Sequence, residues 1–311
     1  MLGYILRRVS LIVPVFLGVS LIAFMLLQLA PGDPVQIWMG GQASSDPKLY
    51  EEYRAKLGLD QPVYVQYGHF LWRLLHGDLG VDFRNGRPAL EEALEALPRT
   101  MQLAVAGVLV SIAVGLPTGI YAAKKHNSLF DRVTMVWSYV GSSLPVFWLA
   151  LILIIVFSVR LNITPISGFG TPAHLLLPAL ALGLNQAGIT SRFTRSSMLE
   201  VIRQDWVSAG RINGLSESLL NKQIFKSALI PIITVIGLEF GYLLGNAFFI
   251  EYVFAWPGIG RLAFRGIQER NFAIIQASAF IISVSFVLIN LVVDILYAYI
   301  DPRVRFGAKK E

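Results

Sequence analysis

Few residues in this chain are spaced for chemistry. The four histidines, His69, His76, His126 and His174, form no pair at metal-ligand spacing, and there is no cysteine. A metal site, a catalytic thiol and a disulfide framework are therefore not expected. The chain holds no G-x-x-x-x-G-K-[ST] phosphate loop, no H-E-x-x-H and no G-x-S-x-G. Nucleotide binding through a phosphate loop, zinc proteolysis and acyl transfer from a nucleophile elbow are not read here. Two acids stand apart, because Glu239 and Asp294 interrupt runs that are otherwise almost free of charge. A carboxylate deep in a bilayer faces a cavity, finds a partner or is protonated. Two readings of Glu239 stay open: it lines a polar path through the membrane, with Asn246 as a second candidate on that path, or it makes an interhelical hydrogen bond to Asn185, Gln186 or Asn290. Asp294 lies within two turns of the end of its run, and is expected to anchor that end against Arg303 or Arg305.

The elements that carry these residues follow from composition. The chain has 311 residues, 55% hydrophobic and 15% charged. A soluble domain carries about 25% charged residues. The deficit is concentrated in long apolar stretches, the pattern of a chain dissolved in lipid, where a charge at mid-bilayer costs at least ~2.5–3.5 kcal/mol. Six segments are long enough to cross about 30 Å of hydrocarbon at ~1.5 Å per residue. They run from Val9 to Leu29, Met101 to Ala123, Val133 to Val159, Ala173 to Thr190, Leu229 to Ile250 and Ala273 to Ile300. The fourth is the least apolar, with His174, Pro178, Asn185 and Gln186. Pro117, Pro145 and Pro178 fall inside spans and are read as packing kinks. The first span follows Arg7 and Arg8, exceeds the length of a signal-peptide core and is followed by no small-residue cleavage site, so it is expected to stay attached.

Lys and Arg set the orientation. With the N-terminus inside, the inner side holds fifteen basic residues, from Arg7 and Arg8 through Lys124, Lys125 and Lys222 to Lys310, against four in the short outer loops. Both termini are therefore expected in the cytoplasm. The same rule accounts for the net charge of +6 without nucleic acid. Two connections are large. Residues 30–100 form an outer region with helical pieces, among them the charged stretch Pro47 to Leu57. Residues 191–227 form a polar, basic inner connection. There Asp205 is read as the cap of a short helix from Trp206 to Asn213, Gly214 as its left-handed stop, and Ser216 as the cap of a second helix leading into span five. A helix–Gly–helix on the cytoplasmic face is read as a docking element; the competing reading is a simple connector. Small residues at roughly four-residue spacing in span five, Gly237, Gly241, Gly245 and Ala247, suit close helix approach. They are read either as internal packing or as a seam with a second, homologous subunit.

These pieces together resemble the DppB/OppB-like permease subunits of the ABC importers for peptides, nickel and glutathione. The resemblance covers essentially the whole chain. It rests on Tyr4-Ile5-Leu6-Arg7-Arg8, Ala30-Pro31-Gly32-Asp33-Pro34, Leu57-Gly58-Leu59-Asp60-Gln61-Pro62 and Gly77-Asp78-Leu79-Gly80. It continues with Thr194-Arg195-Ser196-Ser197-Met198-Leu199-Glu200-Val201, Gly214-Leu215-Ser216-Glu217, Trp256-Pro257-Gly258-Ile259-Gly260-Arg261 and Asp301-Pro302-Arg303.

The resemblance implies an all-α permease fold of the type I ABC importer kind. Residues 1–100 would form the first span plus an extracytoplasmic region, and residues 101–311 a core of five spans with the coupling loop 191–227. The loop looks like the EAA loop, whose short helix fits a groove on the ATPase. Its coupling residues map here to Asp205, Ser208, Ala209, Gly210, Gly214, Leu215 and Glu217. Ser208 stands where an acid is common in the family, and Asn213 where a basic residue is common. The implied partners are a second, homologous permease (a heterodimer), two ATP-binding subunits that carry ATP and magnesium, and an extracytoplasmic substrate-binding protein that meets residues 30–100 and the Glu251–Asn271 loop. The chain itself would be no enzyme and hold no cofactor. The location implied is the bacterial inner membrane. Peptides are the expected solute, with nickel or its chelates and glutathione as alternatives. The competing class is a secondary transporter or channel that works without ATP, which would call for paired intramembrane charges or inverted repeats.

Overall fold

The computed structural model describes residues 10–29, 47–56 and 59–300. The motifs at 4–8, 30–34 and 301–303, and the expected Asp294 partners Arg303 and Arg305, lie outside the described residues. Eleven helices are described: α1 Ile12–Leu29, α2 Pro47–Lys56, α3 Val63–Leu75, α4 Ala89–Lys124, α5 Leu129–Ser143, α6 Val146–Leu153, α7 Pro172–Ile202, α8 Asp205–Ile212, α9 Glu217–Val253, α10 Ile259–Glu269 and α11 Phe272–Ile300. The described residues hold no strand, and Val81 and Pro88 form one isolated bridge. The all-α expectation stands.

α4, α9 and α11 are long and apolar enough to cross a membrane, and α1 contributes a shorter apolar stretch, Ile12–Met25. The third expected span is not one kinked rod. It breaks between Ser143 and Val146, and its two pieces meet at 105°. The cause is local: Pro145 has no N–H to continue the ladder and forces the preceding residue out of the helical region. Leu144 is extended, at φ −75°, ψ 132°. Beyond α6 the chain winds wider, as a π-helix over Ile154–Arg160. Pro178 and Pro231, by contrast, sit inside continuous helices.

The chain forms two compact units. Among the described residues, the larger contains Arg99–Pro257 and the part of α11 from Leu288, the smaller those before Arg99 and Gly258–Val287. In the larger unit α7 is the central helix, and glycines let its neighbours approach to backbone contact. A Cβ on Gly115 would lie 2.7 Å from the Ala187 carbonyl, one on Gly119 2.5 Å from that of Ser191, and one on Gly188 2.7 Å from that of Ser138. The repeat Gly107, Ser111, Gly115, Gly119 on α4 is therefore the small-residue face that packs on α7. Of the span-five glycines, Gly237 abuts Val293 of α11, while a Cβ on Gly245 would meet nothing. Two apolar cores flank this contact. One gathers Leu103, Leu177, Leu182, Leu243 and Ile250 around Trp256. The other gathers Met198, Val207, Leu220, Ile224 and Ile232 beneath α8.

In the smaller unit, α1 packs against α3 and α11 through Phe16 on Phe280, at 5.4 Å, and Ser20 on the Tyr67 hydroxyl, at 2.9 Å. Arg265 of α10 donates to Asp82 at 2.9 Å and to Glu92 at 2.7 Å, and Asn271 donates to Asp82 at 2.6 Å. Asp82 is fully buried. This charged cluster pins the turn before α4 to α10. At the end of α3, the Arg73 guanidinium holds the Asp78 carboxyl below the ordinary carboxylate range.

Candidate functional site

The inner connection is shorter than its sequence suggests. α7 does not end near Thr190 but runs on to Ile202. Its last turns bury Ser191, Thr194, Ser197, Met198 and Val201, a spacing of three and four that keeps one face on the core. The start of α9 at Glu217 absorbs the other end. Between them lie α8 and two short links.

α8 begins at Asp205, and its N-cap is Gln204, extended at ψ 147°. The expected capping by Asp205 is thus corrected. Asp205 is the first helical residue, and no side chain caps the end. Its charge still lies in the first turn, where a negative group suits the helix dipole. The stop is as expected. Gly214 has φ +79°. Its N–H bonds the Arg211 carbonyl at 3.1 Å, and the Leu215 N–H bonds the Gly210 carbonyl at 3.0 Å. That pair is the Schellman motif, which needs a left-handed residue at the glycine position. Ser216 accepts from the Leu219 N–H at 3.4 Å and caps α9. Arg211 bridges to Glu217 at 2.8 Å across the turn.

Close packing seats the hairpin. Val207 is fully buried, and a Cβ on Gly210 would come within 2.8 Å of Leu220 Cδ2 and 3.1 Å of Leu215 Cδ1. The opposite face is bare. Ser208 and Ala209 are on the half-exposed or exposed side with Trp206, and Ile212 is 86% exposed. α8 is thus packed closely on its inner face and leaves the apolar side chains of Trp206 and Ile212 exposed on its outer one.

A second anchor ties α7 to the first turn of α5. Arg195 donates from Nε to Asp131 Oδ1 at 2.5 Å and from Nη2 to Oδ2 at 2.8 Å, while the Asn127 N–H bonds the same carboxylate at 2.9 Å. Asp131 is 2% exposed. The bidentate pair fixes α7 one helical segment before it enters the hairpin. The two partners lie 64 residues apart, so no local pattern in the sequence links them.

Glu239 is 3% exposed. Thr190 Oγ1 lies 2.8 Å and 2.9 Å from its two oxygens, Ser111 Oγ lies 3.2 Å from Oε2, and the two hydroxyls are 2.6 Å apart. The hydroxyl partners belong to α4 and α7, and Gln186, one of the three expected partners, also hydrogen-bonds the carboxylate. Of the three expected, Asn185 instead donates to the carbonyls of Gly141 and Leu144, both at 2.9 Å, and braces the α5–α6 break. Asn246 is half-buried and donates to its own helix at the Tyr242 carbonyl, 3.1 Å away. At the far end of α9, Glu251 is fully buried and accepts from Thr100 Oγ1 at 2.6 Å, and Trp256 Nε1 donates to the Arg99 carbonyl at 2.9 Å. Among the described residues no group of three or more His, Asp or Glu is gathered for a metal.

The family model described as binding-protein-dependent transport system inner membrane component matches residues 115–306. A companion model for the N-terminal part of such membrane components matches residues 1–104. The chain belongs to this family. The family is that of an ABC transporter permease, which is not itself catalytic. Its members include the dipeptide transport system permease protein DppB of Escherichia coli K12, 35% identical over 337 residues, covering 98% of this chain and 99% of that protein. DppB of Alkalihalophilus pseudofirmus is 38% identical over 335 residues, covering 98% and 100%. The glutathione transport system permease protein GsiC of Salmonella typhi is 38% identical over 307 residues, covering 98% and 100%. Among solved structures, a chain of the inward-facing MetNI methionine ABC transporter superposes with a TM-score of 0.54 at 17% identity, covering 67% of this chain and 96% of that one. That likeness speaks for the shared fold.

Proposed function

We propose that this chain forms one half of the membrane pore of an ATP-driven importer and passes di- or oligopeptides, or solutes of similar size, into the cytoplasm. The observation that carries the reading is near-full-length identity to permeases named for dipeptide and glutathione transport. Glutathione is itself a modified tripeptide, so both names point to one solute class. Residues 1–100 serve as the first span with an extracytoplasmic region, and residues 101–311 as the translocating core, with both termini in the cytoplasm of an inner-membrane protein. The second half of the pore is a homologous permease. Two cytoplasmic subunits bind ATP and magnesium, and a binding protein delivers the solute from outside.

α8 carries the coupling. Its exposed face, around Ser208, Ala209 and Ile212, docks on the ATPase. Asp205, Gly210, Gly214, Leu215 and Glu217 hold it at a fixed angle to α7 and α9. When ATP closes the ATPase pair, α8 moves with it, and the Schellman turn and the Val207 contact pass that motion into two long helices rather than into a flexible loop. The bistable element is the ATPase pair, and the pore follows its state. Glu239, held by Ser111 and Thr190, joins the three helices α4, α7 and α9. Asn246, on the half-buried side of α9, is the second polar candidate for the path.

The test is purification of the full chain from its native membrane in mild detergent, with identification of the proteins that accompany it. A homologous permease, phosphate-loop ATPases and a binding protein whose bound ligand is a peptide are the expected companions. Recovery of the chain alone, with solute flux driven by an ion gradient, overturns the reading.

A further inference from the structure

In the larger unit, a groove of about 290 Å³ opens between the C-terminal turn of α4 and the first turns of α9, lined by Ile120, Lys124, Ser218, Asn221, Lys222 and Phe225. Its composition is sorted by depth. Ile120 and Phe225 form the apolar floor, packed on the Met198–Leu220–Ile224 core. Lys124, Lys222, Ser218 and Asn221 form the polar rim. Two ammonium groups on one small rim repel each other unless an anion lies between them. Among the described residues neither lysine has a carboxylate partner. The nearest acid in sequence, Glu217, is taken by Arg211 at 2.8 Å.

The surroundings are those of a membrane–water boundary. Tyr121, next to the groove, is 46% exposed and carries the Lys125 ammonium 5.0 Å above its ring, while Phe130 packs on its edge at 5.0 Å. Half-exposed aromatics beside snorkelling lysines mark the level of lipid headgroups. Basic pockets between membrane helices on the cytoplasmic side are places where anionic headgroups lodge.

We propose that this groove binds the phosphate of an anionic phospholipid of the cytoplasmic leaflet. Lys124 and Lys222 neutralise the phosphate, Ser218 and Asn221 donate hydrogen bonds to it, and the acyl chains lie over Ile120 and Phe225. The lipid then bridges the end of α4 to the start of α9, immediately after the hairpin. The inference rests on the topology proposed above, since it needs residues 120–125 at the cytoplasmic face.

The experiment is native mass spectrometry of the full chain with its accompanying subunits, delipidated and then exposed to equal amounts of phosphatidylglycerol and phosphatidylethanolamine. The comparison uses the double variant K124A/K222A, and K226A as a charge removed outside the groove. The wild type is expected to retain phosphatidylglycerol preferentially. The double variant is expected to lose that preference by roughly tenfold or more, and K226A to keep it. Millimolar inorganic phosphate is expected not to displace the lipid. Equal retention of the two lipids, or unchanged preference in the double variant, overturns the proposal. Full displacement by inorganic phosphate also overturns it, in favour of a free-anion site. If the companion ATPases remain bound while the lipid preference is absent, the lipid site fails and the importer reading stands.

Discussion

At Gly214 the backbone runs at φ +79°, in a region that costs a β-branched residue about 1–2 kcal/mol. Gly214→Val is expected to insert at normal amounts but to lose most solute uptake, because the turn that aims α8 unwinds. Western quantification beside an uptake assay checks this, and normal uptake would contradict the coupling role. Glu239 makes a different case. Glu239→Leu leaves the Ser111 and Thr190 hydroxyls without their acceptor, at about 1–3 kcal/mol, whereas Glu239→Gln keeps an acceptor in place. Thermal unfolding in detergent is expected to rank wild type and Gln above Leu. A Leu variant as stable as wild type would show that the carboxylate is not the joint between the three helices. The left-handed stop at Gly214 and the cap at Ser216 were legible in the sequence, because each is a local rule read over four residues. Of the partners of Glu239, Gln186 was and the two hydroxyls were not. Ser111 and Thr190 lie 128 and 49 residues away in the chain, and membrane hydroxyls often bond only their own helix.

At the scale of elements, hydropathy located the helices and failed at their ends. α7 and α9 extend well past their apolar stretches because Ser191–Ile202 and Glu217–Ala228 each bury one face against the second core. A window that averages hydropathy does not see such a face. The break at Pro145 was read as a kink, yet no neighbouring turn restores the ladder and the chain turns through 105°. The α4 glycine repeat is as regular in the sequence as the one in span five. In the fold it is the α4 repeat that meets α7 backbone to backbone. The Asp131–Arg195 bridge joins two of these elements at a buried carboxylate. Arg195→Asp is expected to destabilise by about 3 kcal/mol or more, since it sets a second acid against Asp131. The exchanged pair Asp131→Arg with Arg195→Asp is expected to regain part of that loss. The double-mutant cycle, read by thermal unfolding, checks it, and strictly additive losses would mean that the two residues act separately.

For the whole molecule, composition and charge placement made a polytopic membrane protein the only economical reading, and the order of short motifs along the chain gave the family. The solute was not legible. No cluster of side chains among the described residues of this chain is distinctive for one solute. The central claim is that transport through this chain is driven by ATP hydrolysed elsewhere and passed through α8. The direct measurement is dipeptide uptake into proteoliposomes that contain the purified complex, with binding protein on one side and ATP or a non-hydrolysable analogue on the other. The account predicts uptake with ATP alone, none with the analogue, and in the Gly214→Val complex ATP hydrolysis without uptake. Uptake that proceeds without ATP and follows an imposed ion gradient would contradict it.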